Sequence, residues 1–427
     1  MNVARRLTIM IGSKSGVLWI AGAQVIQLLS GFLILAVLTR TLSVSSFGYY
    51  SLCITIVMFS RQVLYDPVSV ILAKNSASLK NVDESTSRGF WVLKYLTDRA
   101  FLFLFFSGTI LFLYFKSIDS ALGVLILCCF IYLAANGAFG MYVNVLNAIR
   151  ERKNASIFLM ADTLGKLFAI TLAVFIFKDR LDYVFMGIAL SAIMLVVFLR
   201  SFISKRFRVD MAGRQQKCRD LKSTVIDSLP LIIPSSFMAL KMYGDRWILA
   251  GFMGVEELAG FSVLLQLGYL PMILILGVVQ TYVMPTIYNL AETKNSIMLL
   301  IYLKTIVFKI VIFSLAIATV SMTLSGWIFG LIVGNIYQEY SYYLSMFVVS
   351  GAATAISTIL YVALIACFST HKVAKMATMA VLLSLVSTFI LVALIGFFGA
   401  VVGLLSSSIA TMFFYWYSLH SRSQINF

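Results

Sequence analysis

Charged residues are scarce in this sequence of 427 amino acids. They make up 12% of the chain, whereas an average soluble domain contains about a quarter. Hydrophobic residues reach 61%, and the mean hydropathy is +0.98. This composition excludes a cytosolic enzyme, and recurring apolar runs of 18 or more residues indicate membrane-spanning helices. The alternation in segments of about ten residues that is typical of a membrane β-barrel is absent.

Residues that bind metals or attack substrates are also few. The chain has two histidines and five cysteines with no CxxC pair, and this odd number of cysteines does not support a disulfide framework. No Walker A sequence occurs, which argues against ATP hydrolysis by this chain. No Ser/His/Asp grouping is visible, and no predicted outer loop exceeds about 20 residues. We therefore predict no catalytic residues, no metal and no cofactor.

Apolar segments long enough to cross a bilayer core of about 30 Å recur along the whole chain. The first of them is longer than the apolar core of a secretory signal peptide, roughly 7–15 residues, so we expect it to be retained as a helix. The predicted fold is an all-α integral membrane protein with twelve transmembrane helices. These lie at residues 16–39, 47–73, 95–115, 121–148, 155–177, 183–203, 224–243, 254–284, 298–322, 341–368, 373–395 and 398–419.

The net charge of +16 is explained by membrane topology. With a cytoplasmic N-terminus, 23 basic residues flank the predicted helices on the cytoplasmic side and five on the opposite side. This distribution satisfies the positive-inside rule. The sequence therefore predicts a multi-pass protein with both termini in the cytoplasm and no nucleic-acid partner.

A basic loop divides the predicted helices into two sets of six. The expected organisation is an N-terminal lobe at residues 1–205, a basic cytoplasmic linker at 206–223 and a C-terminal lobe at 224–427. The segment Tyr50-Ser51-Leu52 has a counterpart 211 residues later in Phe261-Ser262-Val263. Because six is even, both lobes enter the membrane in the same direction. Such a parallel repeat is typical of two-lobed alternating-access transporters.

Several basic residues fall inside predicted helices, where a charge costs roughly 2.5–3.5 kcal/mol on insertion scales. They are Arg61, Lys166, Lys241, Lys304 and Lys309. For Lys166 the alternative is an i,i+4 ion pair with Asp162, and we expect Lys304 to reach the membrane interface. The spread of positive charge over helices 2, 5 and 7 predicts a polar, cationic interior.

Uncharged polar side chains within the helices support this interpretation. Gln24 and Gln27 share a face of helix 1, and Asn144 belongs to a polar stripe in helix 4. For any one of them, a hydrogen bond between helices is the alternative to contact with a ligand.

Motifs near the start of each lobe resemble those of a known transporter family. Leu38-Thr39-Arg40-Thr41-Leu42 precedes Phe47-Gly48-Tyr49-Tyr50-Ser51-Leu52 in the first half. Their counterpart in the second half is Gly244-Asp245-Arg246-Trp247 followed by Glu257-Leu258-Ala259-Gly260-Phe261-Ser262. Over nearly its full length the chain resembles the Wzx-type O-antigen flippases, the polysaccharide-exporting branch of the multidrug/oligosaccharidyl-lipid/polysaccharide (MOP) exporter superfamily.

The resemblance implies flipping of undecaprenyl-pyrophosphate-linked oligosaccharide repeat units from the cytoplasmic to the periplasmic leaflet of the bacterial inner membrane. Alternating access through a cationic central cavity would suit this substrate, because Lys and Arg contacts replace the hydration of the pyrophosphate. The candidate substrate contacts are Arg61, Lys241, Arg246, Lys166, Gln24 and Asn144. The candidates for ion coupling are Asp66, Asp162 and Asp245. The resemblance also suggests contact with membrane lipid and association with a polysaccharide polymerase and a chain-length regulator.

Two other classes of function stay open at this point. A multidrug exporter of the same superfamily would handle cationic amphiphiles and should favour acidic residues inside the membrane, so the basic bias counts against it. A membrane polysaccharide polymerase would need a sizeable outer loop, which the sequence lacks. The coupling ion, whether proton, sodium or none, is also open.

Overall fold

Helices make up nearly all of the described chain. The computed structural model describes residues 3–77, 82–149, 151–207, 214–292, 296–368 and 370–425, and these ranges contain no strand. A π-helical turn, Leu265–Tyr269, joins α9 to α10, and a 3-10 helix, Asn335–Tyr343, precedes α12. The α-helices are α1 (Val3–Thr41), α2 (Val44–Leu64), α3 (Asp66–Ala77), α4 (Val82–Lys116), α5 (Ser120–Ala148), α6 (Arg152–Phe177), α7 (Leu181–Phe207), α8 (Arg214–Met253), α9 (Val255–Leu264), α10 (Leu270–Glu292), α11 (Ser296–Ile332), α12 (Leu344–Cys367) and α13 (Thr370–Ile425).

Eleven described segments are long and apolar enough to cross a membrane, and the last one contains two crossings. This segment, Lys375–His420, has 46 residues, whereas one crossing needs about 20. Its backbone leaves the helical region at Ile395 (φ −131°, ψ 19°) and at Gly396 (φ 60°, ψ −135°). A positive φ costs glycine little, so Gly396 permits the break. Counted separately, the two halves give twelve crossings in the described chain, which confirms the predicted number.

Proline explains two other interruptions. The second crossing is broken at Tyr65, between α2 and α3, and Pro67 stands in the first turn of α3, where its missing N–H is tolerated. The eighth crossing contains the π-helical turn two residues before Pro271. Since Pro271 cannot donate a hydrogen bond to Leu267, the wider turn absorbs the missing bond. Both breaks therefore have a local cause in the sequence.

The chain divides into two compact units. The first comprises the chain up to Leu42 together with Cys53–Ala239, and the second comprises Ser43–Leu52 together with the chain from Leu240 onward. The predicted lobe boundaries at 205 and 224 stay a prediction, and residues 208–213 of the predicted linker lie outside the described residues.

Helix α5 lies at the centre of the first unit and packs against α3, α4, α6 and α7. A continuous buried run extends along it from Tyr132 to Phe139. Small residues in this run permit close approach between helices, as at Gly137, which lies against the ring of Tyr65. The second unit is built in the same way around α12, which packs against α10, α11, α13 and the π-helical turn.

The segment Ser43–Leu52 and helix α9 form a close contact inside the second unit. The Ser45 hydroxyl donates a hydrogen bond of 2.7 Å to Glu256, and the hydroxyls of Ser51 and Ser262 are hydrogen-bonded to each other. Between these pairs, a Cβ added at Gly48 would overlap the backbone carbonyl of Val255. Only glycine fits at position 48 without moving the backbone of α9.

We predict that Gly48→Ala lowers the stability of the protein by about 3 kcal/mol, because overpacking against a backbone group cannot be relieved by a side-chain rotation. Thermal unfolding of the purified protein in detergent measures the change. Gly31→Ala in α1 is the matched control, since nothing lies within 4 Å of its added Cβ and alanine favours a helix. Equal unfolding temperatures for the two variants would contradict the packing described at Gly48.

Candidate functional site

Arg61 lies in the last turn of α2, inside the first unit. Its half-buried guanidinium lies beside Gly140 of α5 and within electrostatic reach of the buried Tyr132. Asp66, the first residue of α3, is also within electrostatic reach of Arg61. Within the described ranges Arg61 forms no ion pair at contact distance, unlike Lys166, Arg180, Arg200 and Arg206. A positive charge therefore stands in this helix without a carboxylate in contact.

Lys166 and Asp162 form an ion pair on α6. The Nζ of Lys166 lies 2.6 Å from Oδ2 of Asp162, and the ammonium also lies 5.5 Å from the ring centroid of Tyr132. The structure therefore contains the i,i+4 ion pair that was the alternative interpretation of Lys166. Tyr132 brings Arg61 of α2 and Lys166 of α6 to the same side of α5.

Two further candidates in the first unit make different contacts. Gln24 of α1 is half-buried, and its Oε1 is one of the buried polar atoms with no hydrogen-bond partner in the described chain. Asn144 of α5 donates a hydrogen bond of 2.8 Å to the hydroxyl of Ser69 in α3. Asn144 therefore links two helices by a hydrogen bond, which was the alternative to contact with a ligand.

In the second unit, Lys241 projects from α8 towards α13. Its half-buried ammonium donates a hydrogen bond of 3.2 Å to the hydroxyl of Thr411. Asp245 follows one helical turn later, but the two do not form an ion pair at contact distance. A buried charge normally has an oppositely charged group in contact. Lys241 contacts a neutral hydroxyl instead, and Arg61 likewise lies beside a neutral residue.

Asp245 and Arg246 lie beside Lys241 on α8. Asp245 is 5% exposed, and its carboxylate faces Thr388 of α13. The Oδ1 of Asp245 and the Oγ1 of Thr388 are both among the buried polar atoms that have no hydrogen-bond partner in the described chain. The guanidinium of Arg246 lies 5.5 Å from the ring centroid of Tyr243. Native proteins rarely leave buried polar atoms unsatisfied without a reason, so this pair of oxygens is a candidate site for a proton or a cation.

Hydroxyl groups from other helices extend this polar region, and no pattern in the sequence predicts these groups. Tyr269 in the π-helical turn donates a hydrogen bond of 3.2 Å to Thr354 of α12. Thr354 in turn donates one of 3.0 Å to Ser408 of α13. Single Ser and Thr residues are common in membrane helices, so only the folded contacts distinguish these from others.

The remaining basic residues inside the helices do not join either cluster. Lys304 and Lys309 both lie exposed on α11, where a long side chain can reach the membrane interface. No group of three or more His, Cys, Asp or Glu residues in the described ranges is arranged to hold a metal ion.

Solved structures identify the fold. The chain is similar to a multidrug resistance MATE family transporter of the MOP superfamily in an inward-facing conformation, with a TM-score of 0.72 and 14% identity over 93% of this chain and 94% of that one. It is also similar to the lipid II flippase MurJ in an inward closed conformation, with a TM-score of 0.72 and 14% identity over 94% of this chain and 87% of that one. A third similar structure is the Vibrio cholerae MATE transporter VcmN, with a TM-score of 0.58 and 13% identity over 96% of this chain and 98% of that one. At these identities the likeness shows the fold alone.

Fold and composition define the class of this protein as a multi-pass, all-helical membrane protein with the fold of the MATE and MurJ structures. Residues 13–291 match the family described as polysaccharide biosynthesis protein, and the chain belongs to this family. No curated protein sequence matches the chain. The expected all-α fold of the MOP exporters is confirmed.

We predict that the Asp162–Lys166 pair contributes to stability. Asp162→Asn and Lys166→Gln should each destabilise the protein by about 3–5 kcal/mol, because each leaves one embedded charge without its partner, whereas the double variant should be much less affected. A double-mutant cycle on thermal unfolding in detergent measures the coupling. If the two single effects simply add in the double variant, the pair has no such role.

Proposed function

We propose that this protein moves an oligosaccharide linked to undecaprenyl pyrophosphate from the cytoplasmic to the periplasmic leaflet of a bacterial inner membrane. Family membership supports a role in polysaccharide biosynthesis, and a protein of similar fold is a lipid II flippase. O-antigen repeat units are the proposed cargo. Both termini lie in the cytoplasm in this proposal, and a polysaccharide polymerase and a chain-length regulator would be partners.

The observation that carries the proposal is the presence of an embedded cation without a contacting carboxylate in each unit. Arg61 in the first unit and Lys241 in the second both lack an ion pair in the described chain. A charge held inside the membrane faces a partner or a water-filled cavity. An anionic substrate group would supply the missing partner, and a pyrophosphate carries enough negative charge to meet several cations.

The two cations would contribute differently to binding. The guanidinium of Arg61 presents a planar fork that matches two phosphate oxygens, while Lys241 offers a compact point charge. Arg246 is the next candidate contact because it follows Lys241 by five residues on the same helix. Lys166 would contribute less, since Asp162 already neutralises it.

Polar groups without charge are proposed to meet the sugar. The unpartnered Oε1 of Gln24 can accept a hydrogen bond from a sugar hydroxyl. Asn144 would first have to release Ser69, which makes it the weaker candidate of the two.

A multidrug exporter is the alternative, and the likeness to MATE transporters supports it at the level of fold. Cationic drugs would require embedded carboxylates with no basic partner. Asp162 is paired with Lys166, and Asp245 lies within electrostatic reach of both Lys241 and Arg246. The charges therefore favour an anionic substrate.

We predict that Arg61→Ala and Lys241→Ala each reduce translocation of lipid-linked oligosaccharide by roughly tenfold or more, the equivalent of about 1.4 kcal/mol or more of lost anion binding. The measurement is the delivery of lipid-linked oligosaccharide to the periplasmic face of cells that lack their own flippase, at matched protein levels. Arg61→Lys should retain part of the activity because it keeps the charge but loses the fork.

Lys304→Ala is the matched control for these variants, because it removes an embedded cation that lies exposed on α11 and should leave translocation unchanged. Normal translocation by both Arg61→Ala and Lys241→Ala would exclude them as headgroup contacts. Failure of the wild type to move any lipid-linked sugar would contradict the proposed function itself.

Asp245 is the carboxylate that we propose for ion coupling. The other two candidates are weaker, because Asp162 is bound in an ion pair and Asp66 lies near the positive charge of Arg61. The buried Oδ1 of Asp245 has no hydrogen-bond partner in the described chain, so this oxygen can accept a proton or a cation. Burial inside the helices is what makes the charge state of such a carboxylate sensitive to its surroundings.

We predict that Asp245→Asn abolishes the stimulation of translocation by a proton or sodium gradient, because a neutral amide cannot exchange either ion. The measurement is translocation in vesicles with and without an imposed gradient. Asp119→Asn is the control, since Asp119 caps α5 by accepting a hydrogen bond from Ala121 and asparagine caps equally well. Stimulation that persists in Asp245→Asn, or that is absent from the wild type, would contradict the assignment.

A further inference from the structure

A groove on the first unit lies outside both clusters of candidate residues. Helices α4 and α7 both pack on α5, and the three helices enclose a pocket of about 360 Å³. Its floor consists of the buried small residues Ala134, Ala135 and Ala138 of α5. Because alanine side chains are short, α5 leaves space there that larger residues would fill. The volume lies within the range of small-ligand pockets, about 300–1,000 Å³.

The sides of this groove are apolar and reach the surface. Leu102 of α4 and Val197 of α7 line it and are 48% and 56% exposed. Both belong to membrane-spanning segments, so the hydrocarbon chains of lipids are the natural neighbours of this surface.

One end of the groove carries a pair of opposite charges. The Nη1 of Arg200 lies 2.6 Å from Oδ1 of Asp98, and Nη2 of Arg200 donates a hydrogen bond of 2.7 Å to the hydroxyl of Thr97. The guanidinium also lies 5.8 Å from the ring centroid of Tyr142. The side chains of Arg200 and Asp98 remain 28% and 45% exposed, so a polar headgroup can reach both.

We propose that this groove binds a membrane phospholipid whose headgroup carries both a phosphate and a primary ammonium, as in phosphatidylethanolamine. An acyl chain occupies the apolar groove, the phosphate accepts hydrogen bonds from Arg200, and the ammonium donates to Asp98. Each charge of the headgroup then faces one charge of opposite sign on the protein.

The same charge pair distinguishes this ligand from anionic lipids. A phosphatidylglycerol headgroup has no cation for Asp98 and would bring its phosphate next to a carboxylate. A pyrophosphate-linked carrier would meet the same repulsion with more negative charge. The groove is therefore a lipid site separate from the proposed substrate contacts, and its test does not depend on the proposed function.

The test uses the full-length protein, purified in detergent and incubated with equal amounts of phosphatidylethanolamine and phosphatidylglycerol that carry the same acyl chains. Native mass spectrometry then measures how much of each lipid the protein retains. We expect the wild type to retain phosphatidylethanolamine about tenfold more strongly, equivalent to about 1.4 kcal/mol. Equal retention of the two lipids, or a preference for phosphatidylglycerol, would overturn the proposal.

The two variants at the charge pair should change lipid retention differently. Asp98→Asn removes the repulsion of an anionic headgroup, so retention of phosphatidylglycerol should rise while that of phosphatidylethanolamine falls. Arg200→Gln removes the phosphate contact and should lower the retention of both. Arg206→Gln, which breaks an ion pair with Glu151 away from the groove, should leave the preference unchanged. An unchanged preference in Asp98→Asn would contradict the headgroup assignment.

A third variant tests the groove without touching its charges. Val197→Trp fills the groove from its exposed side and should lower the retention of phosphatidylethanolamine several-fold. Phe198→Trp is the control, because Phe198 is 65% exposed and does not line the pocket. If Val197→Trp retains lipid as Phe198→Trp does, the acyl chain does not occupy this groove.

Discussion

The absence of water from the bilayer core is the constraint on which the rest of this structure depends. A charge or a peptide group in that region finds its partner inside the protein or bears the cost of desolvation. The pairs Lys166–Asp162 and Arg200–Asp98 satisfy this condition by contact. Arg61 and Lys241 do so only with neutral or more distant neighbours. An embedded charge that the fold does not neutralise is the physical basis for expecting an anionic ligand.

The same constraint limits how the helices are interrupted. Each break in the described crossings lies at a residue that changes the local hydrogen bonding or backbone conformation: Pro67 after Tyr65, Pro271 after the π-helical turn, and Gly396 within α13. In each case the main chain returns to a helix within a few residues, because unsatisfied backbone groups are not tolerated in hydrocarbon. Polar residues that are partly buried, such as Asp66 and Tyr269, lie at two of these breaks.

Sequence periodicity predicts interactions along one helix better than those between helices. The number of crossings and the Asp162–Lys166 pair follow from apolar length and i,i+4 spacing. Arg200 of α7, by contrast, pairs with Asp98 of α4. The contact between Lys241 and Thr411 spans 170 residues. Nothing in the spacing of a lone threonine or arginine identifies a partner so distant in sequence, and here only tertiary packing does.

The predicted internal repeat places equivalent residues in contact with each other. Ser45 contacts Glu256 and Ser51 contacts Ser262, and each pair is separated by 211 residues, the offset of the repeat. Equivalent positions that touch each other cannot both be large, and three of these four residues are serines. The glycines depart from the offset by one residue because their neighbours differ: Gly48 lies against the backbone of Val255, and Gly260 lies against the ring of Tyr340. Each glycine therefore lies where a larger residue would overlap the group that packs against it.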